Sequence, residues 1–267
     1  MHPLLLLHYL IDFIMVKFFP FLLFLLLTNK IIAQDNYEIQ VYGSETMTKG
    51  KTMVELHSNF TFDGGKSTDK SVKSSNHIEH ETVEITHGFN DWFEVGFYLF
   101  NAIGDNNRTA YVGSHIRPRV RIPESFHLPI GLSLSAEVGY QKPTFSADDW
   151  TIELRPIIDK KIDKLYLCLN PVLEKSLHGS SDAQGYSFSP NAKISYDINK
   201  SLTPGIEYYG SLGTWNNFAP SSQREHNLFI SLDADLMPNL ELNFGYGWGL
   251  NRNTDNSIVK CIVGWKF

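Results

Sequence analysis

Ile258-Val259-Lys260-Cys261-Ile262-Val263-Gly264-Trp265-Lys266-Phe267 closes the chain, and its alternation decides the fold. Val259, Cys261, Val263, Trp265 and Phe267 share one face of a strand; Ile258, Lys260, Ile262, Gly264 and Lys266 share the other. A last strand has no later element to cover its open edge, so it must close a sheet or remain a pairing hazard.

The ending resembles the final strand of bacterial outer-membrane β-barrels, and that resemblance implies that Phe267 is an assembly signal. The opposite end is a targeting segment. Read from Met15, Lys17 forms a short basic region, Phe18–Leu27 an apolar run, and Thr28-Asn29-Lys30 a polar exit before cleavage after Ala33. The run is shorter than the ~20 residues of a spanning helix. Asp12 and two histidines, His2 and His8, make residues 1–14 a poor signal, so the true start is expected at Met15. A signal peptide over 1–33 is the expectation, with residues 34–50 forming either a short extra strand or a plug.

The remainder is one domain without a linker. A net charge of −6 leaves no nucleic-acid footprint. The two cysteines, Cys168 and Cys261, fall on opposite faces of their strands and make no disulfide framework. No long apolar run follows residue 34, so any membrane residence comes from strands.

Period-2 alternation predicts twelve strands, at about 51–62, 77–87, 92–101, 109–121, 130–141, 149–159, 165–175, 184–197, 202–211, 224–236, 239–249 and 257–267. Most exceed the five or six residues usual in globular sheets and suit a tilted membrane crossing. Tight connections at 88–91, 160–164, 198–201 and 237–238, and a somewhat longer one at 122–129, alternate with longer loops at 63–76, 102–108, 142–148, 176–183, 212–223 and 250–256. An all-β, up-and-down antiparallel transmembrane barrel has this rhythm, and an even strand count returns both ends to the periplasm.

One face is apolar: Phe97 and Leu99, Leu132 and Leu134, Ile230 and Leu232 belong to it. Aromatics gather at both ends of these rows, as at membrane–water interfaces: Phe62, Trp150 and Trp248 near the long loops, Tyr196 and Phe267 near the turns. The partners this implies are outer-membrane lipids and the barrel-assembly machinery.

The other face is polar and lines a lumen. Its sharpest feature is Arg117-Pro118-Arg119-Val120-Arg121, three guanidinium groups on one face, preceded by His115. Neighbouring strands offer Glu84 and Glu94 on one side and Glu137 on the other, with Glu153 and Arg155 beyond. Carboxylates at this spacing predict an internal ion-pair network that props or fills the barrel; the functional alternative is a constriction that selects anions. Pro118 faces lipid and suggests a bulge.

Catalysis and metal binding find less support. His57 and Ser58 point to opposite faces, so the one candidate site for a lipid hydrolase has no direct Ser–His contact. Of His77, His80 and His87 with Glu79, Glu81 and Glu84, only His80 and Glu84 could share a ligand, and no metal or cofactor is expected.

The stretches EIQVYGSET (38–46), TMVELHSNFTFDG (52–64), NHIEHETVEITHGFNDWFEVGFYLF (76–100), HIRPRVRIPES (115–125), ELRPIIDKK (153–161) and LNPVLEKSLHG (169–179) resemble a group of bacterial outer-membrane proteins. That group is similar to the transporters labelled "MetA-pathway of phenol degradation". The resemblance implies an outer-membrane barrel and carries no catalytic residue. The expectation is a non-enzymatic, porin-like channel for a small-molecule solute; the alternative is a closed barrel with a structural or adhesive role.

Overall fold

The computed structural model describes residues 36–64, 72–104 and 108–267. The expected signal peptide lies outside the described residues, as do parts of the loops expected at 63–76 and 102–108.

Twelve long antiparallel strands follow one another: β1 (Thr52–Asp63), β2 (Ile78–Asn90), β3 (Phe93–Gly104), β4 (Arg108–Arg121), β5 (Gly131–Gln141), β6 (Asp148–Ile162), β7 (Leu165–Gly179), β8 (Ser187–Tyr196) and β9 (Leu202–Ser211), then β12 (Glu225–Met237), β13 (Leu240–Gly249) and β14 (Ser257–Lys266). The connection after β9 carries a small hairpin, β10 (Gly213–Thr214) and β11 (Asn217–Phe218). Each long strand pairs with its predecessor and successor, β8 with β9 and β9 with β12, and β1 pairs with β14 to close the barrel. Every predicted strand is present, most within one to four residues of its expected ends.

The closing seam runs from Met53 opposite Lys266 to Asp63 opposite Ser257, with an irregularity between Thr61 and Asp63. Phe267 N–H donates to the Thr52 carbonyl at 2.8 Å, which extends the ladder to the last residue of the chain. Closure matters because an unpaired edge in hydrocarbon leaves backbone groups without partners.

The pleat sorts side chains as the alternation requires. In β2, Glu79, Glu81 and Val83 take the outer face, while His80, Thr82, Glu84 and Thr86 are buried inward. Outward apolar side chains such as Phe97, Leu134, Ile206, Ile230 and Phe244 are exposed on the wall. Trp150, Tyr186, Trp215 and Trp248 stand exposed toward the long loops, and Trp92, Tyr196 and Phe267 toward the turns.

Pro118 does not mark a bulge. It faces Val95 on β3, and the β4–β5 register is unchanged across it, from Ile116 opposite Val138 to Arg119 opposite Ser135. The missing N–H interrupts that ladder without adding a residue. The irregularity in β4 lies higher, where Phe100–Asn101 of β3 face Gly113 and Tyr111 across the skipped Val112.

Residues 36–50 belong to no strand. They enter the barrel from the loop end, where the Asn59 amide donates to the Asn36 carbonyl (2.9 Å) and Asn36 donates to Asp255 (2.7 Å). They leave at the turn end, where Gly50 N–H meets the Gly88 carbonyl at 2.7 Å. Between these points Tyr37, Ile39, Val41 and Tyr42 are buried inside the wall.

Candidate functional site: an arginine cage in the lumen

The site grows from the inward faces of β2, β3 and β4. Antiparallel register sets Glu94 of β3 directly opposite Arg119 of β4, and Gly96 opposite Arg117. The Arg117 side chain lies over the space a larger residue at 96 would occupy; a Cβ there would sit 3.0 Å from its Nη2. Arg117 can therefore reach past β3 to β2, where its Nη2 donates to Glu84 Oε1 at 2.7 Å. Its contact to Glu94 Oε1 is longer, 3.5 Å, and Arg119 holds that same oxygen at 2.6 Å. Glu94 Oε2 accepts the Met47 N–H of the N-terminal segment at 2.5 Å.

Arg155, from β6 on the far side of β5, is held by Glu153 two residues earlier (2.7 Å) and approaches Glu38 at 3.6 Å. The hydroxyl of Tyr42 donates to Glu38 (2.5 Å) and lies 3.2 Å from that of Tyr98. Its ring is flanked by three cations: the guanidinium carbons of Arg117, Arg155 and Arg119 lie 4.8, 4.9 and 5.8 Å from its centroid. A desolvated cation over an aromatic face contributes up to about 2 kcal/mol. Three at once make Tyr42 the hub of the cage.

The backbone around Tyr42 is fixed as firmly. Its N–H donates to Asn170 Oδ1 (2.8 Å), and its carbonyl accepts from Asn170 Nδ2 (3.0 Å) and the Cys168 thiol (3.1 Å), both on β7. Arg119 donates to the Gly43 carbonyl at 3.2 Å. Asp159 of β6 accepts from both the Ser44 N–H (2.7 Å) and the Ser44 hydroxyl (2.8 Å). These are point contacts to several walls, not a ladder to one.

The sequence-derived candidates divide. Glu84, Glu94, Arg117, Arg119, Glu153 and Arg155 share the cage. Glu137 does not serve the arginines; it pairs with His115 Nδ1 at 2.5 Å beside them. Arg121 leaves the ladder altogether and binds Glu124 of the following turn at 2.8 Å, because it stands at the mouth where β4 ends. His80 packs edge-on against Tyr37 (4.7 Å between centroids) and shares no ligand position with Glu84. Ser58 lies on the outer face and His57 is buried in the lumen, so no Ser–His pair forms.

A second charged knot was not legible as a group. Lys260 (β14) meets Glu207 (β9) at 2.5 Å, Lys193 (β8) meets Glu207 at 3.1 Å and Asp233 at 2.7 Å, and Lys260 also donates to the Ile39 carbonyl at 3.1 Å. Each residue alternates inward in the sequence, but two other strands separate β9 from β14, so only closure brings Lys260 and Glu207 together. At these levels the described residues pack side chains inside the barrel. Apolar groups, including Ile39, Val41, Ile157, Phe229 and Ile258, pack with Tyr42 and Tyr209. The charges are buried, and each knot contains both signs, as the cost of unpaired burial demands.

A closed twelve-stranded barrel with an apolar exterior and a charged interior is an outer-membrane barrel of the porin architecture. The chain belongs to the family described as "Putative MetA-pathway of phenol degradation", whose model matches residues 82–260, more than half of its length. It is similar in fold to the COG4313 outer membrane channel from Pseudomonas putida F1 (14% identity, 86% of this chain and 100% of that one, TM-score 0.57). It is similar also to the KdgM porin (12%, 80% and 99%, 0.55) and the NanC porin (9%, 80% and 98%, 0.56). No curated protein matches it.

Proposed function

We propose that the protein is an outer-membrane channel for small solutes whose path is occupied, in the state described here, by its own residues 36–47. The carrying observation is Tyr42, a residue of an unladdered segment, with its ring flanked by three arginines from β4 and β6. A segment that served only to stiffen the wall would gain most by joining a ladder. One held by separate hydrogen bonds and cation–π contacts can leave without unzipping the barrel.

The arginines do not act as an anion filter in this reading. Glu84, Glu94 and Glu153 already meet them, so the ladder presents no surplus positive charge. The outer band takes membrane lipid, and Phe267 at the closing seam is the group offered to the assembly machinery. No catalytic role is assigned.

Planar-bilayer recording tests the reading. The full chain is expected to show small or rare conductance steps, and a variant lacking residues 36–47 large and sustained ones. A deletion variant that folds but neither conducts nor admits solutes into liposomes would leave the closed, structural barrel as the correct account.

A further inference from the structure

We infer that Glu55, His57 and Glu84 form a binding site for one first-row divalent cation, of which Zn2+ is the representative probe. Glu55 and His57 are two residues apart on β1 and so face the lumen together; Glu84 of β2 stands directly opposite Glu55. One ligand atom from each lies within 4.8 Å of the other two, and all three side chains are buried.

Three features of these side chains suit a cation between them. First, two carboxylates directly opposite in an antiparallel pair repel, and their burial makes this worse. Second, Arg117 takes Glu84 Oε1 and leaves Oε2 with only the 3.4 Å approach of His57, while Glu55 has no ion pair among the described residues. Third, the His57 ring is 0% exposed and neither nitrogen is hydrogen-bonded: Nδ1 has no partner, and Nε2 meets Glu84 Oε2 only at 3.4 Å, a charge pair when the imidazole is protonated. A neutral imidazole buried beside two carboxylates, with no hydrogen bond at either nitrogen, is placed to share a metal with them.

The donor set defines the class. One imidazole nitrogen and two carboxylate oxygens suit Zn2+, Co2+, Mn2+ or Fe2+; the absence of sulfur disfavours Cu+, and three ligands are too few for Ca2+. Bonds of about 2.0–2.2 Å place tetrahedral ligands about 3.3 Å apart. His57 and Glu84 already stand 3.4 Å apart, so the convergence, up to about 1.5 Å, falls on the side chain of the unpaired Glu55. Gly264, opposite Glu55 on β14, leaves the room: a Cβ there would lie 3.1 Å from Glu55 Cγ. Arg117 then acts through Glu84 as an outer partner that orients the ligand carboxylate. A bound ion would join β1 to β2 next to the closing seam. The His80–Glu84 pairing suggested by the sequence is replaced by this one, across strands.

The test uses tag-free full-length protein folded in detergent and titrated with Co2+. One Co2+ per chain is expected, with visible d–d absorption lost on addition of Zn2+. His57→Gln and Glu55→Gln should each bind about 10-fold or more weakly, while His178→Asn, altering an exposed histidine paired with Asp149, should bind as wild type. Heat-modified migration on gels reports that each variant is folded. X-ray absorption of the wild-type Zn2+ form, which depends on no variant, should show an imidazole and oxygen ligands. Lack of stoichiometric uptake, a shell without imidazole, or a folded His57→Gln with wild-type affinity would overturn the site.

Discussion

The Tyr42 ring stacks 4.8 Å from the Arg117 guanidinium, joining a residue ahead of the first strand to the centre of the arginine ladder on β4. Tyr42 shares that place with Tyr98, whose ring lies 5.5 Å from the same guanidinium. Arg117 and Arg119 thus both contact the N-terminal segment, at the Tyr42 ring and the Gly43 carbonyl.

Tyr42→Ala removes the stacked face and the hydroxyl bond to Glu38 together, whereas Tyr42→Phe removes only the hydroxyl. In bilayer recordings Tyr42→Ala is expected to raise the open fraction at least several-fold, and Tyr42→Phe to stay nearer wild type. Equal behaviour of the two would show that the cations do not hold the segment.

Arg117→Met leaves Glu84 and Glu94, both almost fully buried, with a partner lost. Breaking one side of such a pair costs about 3–5 kcal/mol, mostly because a charge is stranded. Unfolding in urea from lipid or detergent should show that loss. Adding Glu84→Gln should recover part of it, so that the double variant is more stable than the sum of the singles predicts.

Asp197, at the turn end of the barrel, is held below the usual carboxylate range, chiefly by the hydrogen bond from Lys161 (2.6 Å). Because the folded value is the lower one, the pairing contributes above the unfolded value of about 3.9 and is lost as pH falls through the folded one. A carboxyl NMR titration of wild type should therefore show a depressed midpoint. Lys161→Gln should return it toward the ordinary value, with little effect on global stability for so exposed a pair.

The wall was legible because a strand's two faces are written in alternate residues. Val263 and Trp265 read as lipid-facing and Ile262 and Gly264 as inward before any pairing was known, and the register of β14 against β1 keeps them so. Local charge matching was legible as well, since β2, β3 and β4 are neighbours joined by hairpins; Glu84 and Glu94 could be set beside Arg117 and Arg119 by counting. Arg121 departed from the count because strand ends are where a long side chain can turn to a closer partner outside the sheet, here Glu124.

The sequence by itself determined the strand number, the sorting of faces and the short and long connections, because each is a local property of pleat and turn. The tertiary structure alone decided what fills the lumen. Residues 36–50 carry no ladder and no strong period, so their path depends on hydrogen bonds to Asn170, Asp159 and Glu94, which lie on three different strands. Lys260 finds Glu207 only once the sheet has curled shut. Alternation tells a side chain which way to point; closure alone tells it what stands across from it.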